Sequence, residues 1–289
     1  MSTPKILLQL DADRLPSVFD SVVAIDAGVD HLLSHGGVEP LDVRELVYGA
    51  IFTRGTADLH HTAVFVGGSS VAAGEAILAE VIATFLGPLR VSVMLDAGGA
   101  NTTATAAVLA ATKHAELRGA NALVLGATGP VGQRVVRLLA SKGAIVRAAS
   151  RDLGRAHAAC EAVSRFVPNG VLKPIRVATA EETAAALEGT EILVASGPPG
   201  VALLSTADRA ACGTIKVAID LNAVPPVGLE GIEPADRGVR RASAFCHGAI
   251  GVGGLKMKIH KAAIRRLFES NDAVLDAAEI WELAERLDA

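Results

Sequence analysis

The stretch Asn121-Ala-Leu-Val-Leu-Gly126-Ala-Thr-Gly129-Pro-Val-Gly132-Gln-Arg-Val-Val-Arg-Leu-Leu-Ala140 decides the fold class. A short apolar run enters a turn with three glycines, and the turn opens a segment whose apolar residues recur at helical spacing: strand, glycine loop, helix. Glycines at 126, 129 and 132 permit a tight turn, close backbone approach to a pyrophosphate and close helix–strand packing, while the helix start offers free N–H donors. A second apolar run, Ile145–Ala148, follows at the distance expected within a βαβ unit. The spacing is G-x-x-G-x-x-G rather than G-x-G-x-x-G, which leaves that geometry intact. We expect a dinucleotide cradle made by Gly126, Thr128, Gly129, Pro130, Val131 and Gly132.

Outward from this unit, apolar runs of four to six residues alternate with longer Ala- and Leu-rich helical stretches along the whole chain, which is the α/β pattern. Strands are expected at Ile6–Gln9, Thr62–Val66 and Val91–Leu95, then at Ala122–Leu125, Ile145–Ala148, Ile192–Ala195 and Val217–Ile219. Helices are expected at Pro40–Tyr48, Val71–Phe85, Ala104–Leu117, Val131–Ser141, Arg155–Arg165 and Thr183–Leu187. A glycine-rich stretch, Gly248 to Gly254, precedes two amphipathic helices, the second opening at Asp276 with Glu279 in capping-box spacing. At 289 residues the chain has room for two cores. We expect a smaller α/β lobe from 1–101, joined by 255–289 packing back on it, and a doubly wound parallel-sheet lobe of Rossmann type from 102–254. The junction falls in the small-residue segment Asp96 to Thr103, read as a hinge or a helix-start anion site.

The net charge of −4 gives no footprint for nucleic acid or an anionic membrane. Cysteines 160, 212 and 246 form neither a C-x-x-C pair nor an even set. The opening residues read as neither a signal peptide nor a membrane span. Both point to a cytoplasmic protein. No histidine or cysteine cluster has metal-ligand spacing, since adjacent His60 and His61 would face opposite ways on a strand, so no metal is expected.

At the end of the strand after the glycine loop, where an NAD site carries a carboxylate for the ribose, the chain reads Ala148-Ala-Ser150-Arg151-Asp152-Leu-Gly-Arg155. A hydroxyl with guanidinium groups suits a 2′-phosphate, so NADP is favoured over NAD, with Ser150, Arg151 and Arg155 as its holders. The alternative leaves Arg151 solvated and gives Asp152 to the cap of the next helix, or to the ribose. At the other strand ends, Ser196-Gly197 would let backbone approach the nicotinamide ribose and Asn222 could meet a carboxamide, against ordinary turn chemistry for both.

Several longer motifs carry a resemblance: Gln9-Leu-Asp-Ala-Asp13, Pro16-Ser-Val-Phe-Asp20, Thr62-Ala-Val-Phe-Val-Gly-Gly68, Phe85-Leu-Gly-Pro88, Met94-Leu-Asp96, Asn101-Thr-Thr103, Asp220-Leu-Asn-Ala-Val-Pro-Pro226 and Gly251-Val-Gly-Gly-Leu-Lys256-Met-Lys-Ile-His260. With the glycine loop, they make the chain similar nearly end to end to the NAD(P)-dependent methylene-tetrahydromethanopterin/methylene-tetrahydrofolate dehydrogenases of methylotrophic and related bacteria. The resemblance implies a first lobe for a reduced pterin, a second for the dinucleotide, an active cleft between them, and a homo-oligomer. It implies hydride removal from the methylene bridge, which leaves an amidinium cation and needs no general base. Asp20 or Asp96, both read as loop residues, would steady the developing cation. Lys256 either donates to the pterin carbonyl or has a lowered pKa, against the reading of a surface helix lysine. Asp13 and Phe19 are placed beside the pterin. Asn101, Thr102 and Thr103 either cap a helix or reach a ligand. Rival readings are a two-lobed NADP reductase of the shikimate dehydrogenase type and a dinucleotide-binding redox sensor without catalysis. Only 3% of the residues are aromatic, so the pterin is expected to rest on backbone, small polar groups and aliphatic packing, with Phe19 the one ring near it.

Overall fold

A computed structural model describes residues 3–288. Contacts divide the chain into two compact units, Met1–Thr102 with Met257–Ala289, and Thr103–Lys256.

The first unit alternates β1 (Ile6–Asp11), α1 (Val18–Asp26), β2 (His31–Gly36), α2 (Pro40–Phe52), β3 (Thr62–Gly67), α3 (Val71–Thr84) and β4 (Ser92–Leu95). The helix α4 (Ala100–Thr112) follows. The second unit continues with β5 (Asn121–Leu125), α5 (Pro130–Ser141), β6 (Ile145–Ser150), α6 (Leu153–Ser164), β7 (Val171–Arg176), α7 (Ala180–Leu187), β8 (Ile192–Ala195), α8 (Thr206–Ala211), β9 (Val217–Asp220) and a hairpin of β10 (Arg237–Arg241) and β11 (Ala244–His247). Helix α9 (Ala249–Arg266), β12 (Val274–Leu275) and α10 (Ala277–Asp288) close the chain.

The first unit is built on a five-stranded sheet in the order β12-β4-β3-β1-β2, parallel at each pair of neighbouring strands. Its strands β3 and β4 are buried along their whole length, as strands covered on both faces must be. One core joins Leu8, Leu10, Val64, Val66, Val93 and Leu95 of the sheet to Val43, Val47, Ile77 and Val81 of α2 and α3. The second sheet runs β10-β11-β9-β8-β5-β6-β7, parallel except for the terminal hairpin. The chain reverses its winding direction between β5 and β8, the switch point at which doubly wound sheets receive ligands.

The strands and helices read from apolar runs are present with ends shifted by a few residues. Seven elements have no such run. Strand β2 is an exposed edge, β7 carries Pro174 at the opposite edge of its own sheet, α1, α8, β10 and β11 are short and mixed in polarity, and β12 is only two residues long. The segment Gly248–Gly254 is also not a loop before a helix. From Ala249 onward it is the first two turns of α9. A Cβ on Gly251 would collide with the carbonyl oxygen of Asp236, and one on Gly254 would lie 2.8 Å from an Arg237 nitrogen. Those glycines let the helix lie against the segment before β10. The N–H groups of Ile250 and Gly251 both donate to Pro234 O, at 2.8 and 3.0 Å, so this helix start is satisfied internally.

The hairpin is tied to the end of α4 by two imidazoles, one half-buried and one buried. His114 Nε2 and His247 Nε2 lie 3.1 Å apart, one donating and the other accepting, and His114 stacks on Phe245. Burial, then the charges of His114 and Lys113, push the His247 pKa from 6.5 down to about 4, with Asp236 opposing. Burial likewise lowers His114. The unfolded chain therefore binds more protons than the folded one between about pH 6.5 and 4, and stability is full above that window and lost as pH falls through it. Denaturant unfolding at pH 7 and pH 4.5 should differ by on the order of 3 kcal/mol, and His247→Gln should remove most of that difference.

Candidate dinucleotide and pterin sites

In the second unit the glycine loop sits at the switch point. Gly126 has φ +74°, a backbone that side chains rarely adopt, and a Cβ there would lie 2.7 Å from Gly197 N. A Cβ on Gly132 would strike Gly126 O and come within 2.8 Å of both Ala127 Cα and Ser196 Oγ. The loop, the first turn of α5 and the end of β8 are thus in backbone contact. Gly129 is the N-cap of α5, no side chain caps it, and Pro130 at N1 has no N–H to satisfy. The start of a 12-residue helix is left open to an anion. Gln133 Nε2 donates to Thr128 O at 3.0 Å and fixes the loop from below.

Ser196 donates through Oγ to Leu125 O and Gly126 O, at 3.2 and 3.3 Å. The space a Cβ on Gly197 would need is taken by the side chain of Leu203, and Gly126 lies against its backbone, so Ser196 and Gly197 pack closely on the glycine loop. Asn222 takes part in turn chemistry, its Oδ1 accepting from Val224 N at 2.9 Å and its Nδ2 donating to Pro226 O at 3.2 Å. Beneath it, buried Asp220 accepts from Asn222 N and Leu229 N at 3.0 and 2.8 Å, while desolvation raises its pKa against those bonds.

At the tip of β6, Asp152 caps α6 by accepting from Arg155 N at 2.9 Å, and Ser150 Oγ accepts from Asp152 N. The cap reading of Asp152 is the one realised. Arg151 and Arg155 are exposed, and among the described residues neither guanidinium has a hydrogen-bond or ion-pair partner. Two unpaired cations and a hydroxyl beside an uncapped helix start fit a dinucleotide bearing a 2′-phosphate. A cavity of about 380 Å³ between α7 and α8, lined by Leu187, Cys212 and Thr214 among others, lies at the amino ends of β8 and β9, the wrong end of the sheet for this ligand.

In the first unit, Asp20 is not in a loop. It lies in the first turn of α1, donating its N–H to Ser17 Oγ at 3.2 Å, with Phe19 beside it and 54% exposed. Asp13 spends one carboxylate oxygen on Ser69 N and the other on Ser69 Oγ, both at 2.9 Å, and so fastens the β1 loop to the β3 loop. Asp96 is fully buried, accepting from Thr102 N at 3.0 Å and Thr102 Oγ1 at 2.6 Å, with His260 Nδ1 3.9 Å away. Asn101 Nδ2 donates to Leu95 O and to Asp276 Oδ1, at 2.7 and 3.0 Å. Asp96, Asn101 and Thr102 therefore build the start of α4 and its tie to the C-terminal segment, the capping role given as one of the two readings of Asn101 and Thr102. Thr103 is half-buried one residue further on. Lys256 is buried, which excludes the surface-lysine reading. The polar residues that sequence reasoning passed over are Gln9, Asp11 and Ser17. The signal was available, since Gln9 and Asp11 are alternate residues on one face of an otherwise apolar strand.

Residues 18–98 match the family model described as methylene-tetrahydromethanopterin dehydrogenase, N-terminal. Two proteins of Methylorubrum extorquens are similar over nearly their whole lengths. "Bifunctional protein MdtA" is 43% identical, over 98% of this chain and 99% of its own, and "NAD(P)-dependent methylenetetrahydromethanopterin dehydrogenase" is 28% identical, over 96% and 97%. Among solved structures, the quinate dehydrogenase of Corynebacterium glutamicum in complex with NAD shares the fold, with TM-score 0.55 at 14% identity over 99% of this chain and all of that one. With the glycine cradle in place, the N-terminal match and 43% identity from end to end, the chain belongs to the methylene-tetrahydromethanopterin dehydrogenase family.

Proposed function

We propose that the protein is an oxidoreductase of one-carbon metabolism that moves a hydride between NADP and the methylene bridge of N5,N10-methylene-tetrahydromethanopterin or methylene-tetrahydrofolate. The observation that carries this reading is the open start of α5 with the two unpartnered guanidiniums at the tip of β6, set in a chain 43% identical to a family member. When bound, the nicotinamide supplies the hydride acceptor. Loss of hydride from the bridge leaves a cation delocalised over two nitrogens, and no proton has to leave, so the chain needs no general base.

What remains for the protein is alignment and charge. Holding two ligands in register is worth several kcal/mol. The Gly126–Gly132 loop takes the pyrophosphate, and Arg151 and Arg155 take the 2′-phosphate. Asp20 steadies the developing cation, Phe19 and Thr103 flank the pterin, and the buried ammonium of Lys256 donates to the pterin carbonyl, away from the charge that forms. Three cysteines without disulfides suit a reducing cytoplasm, and no described helix is long and apolar enough to cross a membrane.

The chain also self-associates in this reading. Val18, Val22 and Ile25 form one row on the side of α1 away from the sheet, each more than half exposed, with exposed Leu15 in the bend before the helix and the unpaired edge of β2 alongside. Light scattering should give a multiple of 29.5 kDa for the wild type and a smaller species for Val22→Lys; an unchanged mass for the variant removes this face from the interface.

The decisive assay follows NADPH absorbance on adding formaldehyde, each reduced carrier in turn, and NADP or NAD. Formation of NADPH with at least one carrier is expected, and no signal with either overturns the reading. In the same assay Arg151→Ala should raise KM for NADP about 30-fold, the loss of roughly 2 kcal/mol of charge-assisted bonding, with KM for NAD nearly unchanged. Equal effects on both cofactors would mean that Arg151 does not read the 2′-phosphate.

A further inference from the structure

Polar side chains of β1 that the chemistry above leaves unused converge on Ser17, the N-cap of α1. Gln9 is 1% exposed; its Nε2 donates to Ser17 O at 3.2 Å, and its Oε1 accepts from Ser21 Oγ and Ser34 Oγ, both at 2.9 Å. Asp11 is equally buried and accepts from Ser17 N at 3.0 Å and from Asp13 N at 2.9 Å. Ser17 O also receives Ser21 N and Ser21 Oγ, at 3.1 and 2.9 Å, while Ser17 Oγ receives Asp20 N. Both backbone polar groups of the cap are thereby bonded to named partners, and the buried ones come from the strand.

Packing does little of this. Within α1 only Val23 and Ala24 are buried, and the opposite side of the helix is exposed. Two small aliphatic contacts fix the distance of a helix from a sheet but leave its rotation and its slide along its axis soft. The directional bonds of Gln9 and Asp11 set those two coordinates, and with them the positions of Phe19 and Asp20 one turn further on. We propose that Gln9 is a positioning residue for the pterin reaction: through Ser17 and Ser21 it holds α1 where Asp20 meets the developing cation. The inference rests on the reading of Asp20 and Phe19 as substrate-side residues. A displacement of about 1 Å in such a group can cost on the order of 10²-fold in rate.

The test combines steady-state kinetics with hydrogen exchange of the segment 16–26. In Gln9→Leu, kcat with the methylene carrier should fall at least about tenfold, KM for NADP should stay within about twofold, and amides in the first two turns of α1 should exchange faster while the second unit keeps its protection. Ser34→Ala, which removes only the bond to β2, should leave kcat within about twofold. If Gln9→Leu does not fold, Ser21→Ala replaces it, with an expected fall in kcat of about threefold and the same exchange signature. Faster exchange or a lower melting temperature with unchanged kcat would make Gln9 merely structural and overturn the proposal, as would a fall in kcat with unchanged exchange. A wild type inert to both carriers overturns the reading of the substrate instead, and the exchange result then decides alone whether Gln9 holds α1.

Discussion

Replacing Gly132 by alanine should raise the dissociation constant for NADP at least about 100-fold while the variant still folds. The added methyl would strike the carbonyl oxygen of Gly126 and crowd Ala127 Cα and Ser196 Oγ at 2.8 Å. Two of those three obstacles are backbone, so no rotamer change relieves them. The first turn of α5 must move away from the loop, which costs about 1 to 3 kcal/mol of stability as overpacking does elsewhere. The larger effect is on binding, because the helix start and the loop N–H groups act on a phosphate only while they point at one place. Gly253→Ala is the control, since a Cβ there meets nothing within 4 Å. Calorimetric titration with NADP and thermal unfolding of both variants measure the two effects separately. Wild-type affinity in Gly132→Ala would mean that the cofactor does not use this loop.

Changing Asp20 to asparagine should lower kcat by about 10²-fold, with the affinity for NADP unaltered. The substitution keeps size, removes the charge that faces the forming cation in the proposed reading, and exchanges one acceptor oxygen for an amide donor. A factor of 10² corresponds to about 2.7 kcal/mol, within the range that one preorganised electrostatic contact supplies. Because no proton moves in the step, the variant should keep the shape of the wild-type pH–rate profile. The cost to stability should stay below about 1 kcal/mol, the worth of a carboxylate in the first turn of a helix. Asp96→Asn offers the contrast. That carboxylate is buried against Thr102, so its loss should lower the melting temperature of the protein. A variant of Asp20 with unchanged kcat would move the electrostatic role to another group.

Legibility followed burial. Strands covered on both faces, such as β3, β4, β8 and β9, are apolar along most of their length, with polar residues only at their ends, and their runs stand out in the chain. Edge strands answer to solvent on one side, and β2 and β7 accordingly carry histidine, lysine, arginine and proline that hide the strand pattern. The glycines of Gly248–Gly254 look like a loop for the opposite reason. Their lack of side chains serves a helix pressed against the Pro234–Arg237 segment, a requirement that comes from residues about fifteen positions earlier.

At the site, the sequence by itself determined the chemistry on offer: an open helix start among three glycines, a hydroxyl and two guanidiniums where a carboxylate would select NAD, and motifs that mark the family. Those features are local, fixed by which residue types follow one another along a single strand–loop–helix. Only the tertiary structure decided which polar groups remain available. In the folded chain Asp96 and Thr102 bond to each other, Asn101 to Leu95 O and Asp276, and Asn222 to Pro226 O and Val224 N, pairings that the chain order does not announce. A buried polar atom must find a partner, and a partner once found is withdrawn from the ligand; that accounting closes only when residues such as Asn101 and Asp276, 175 positions apart, are brought within 3.0 Å.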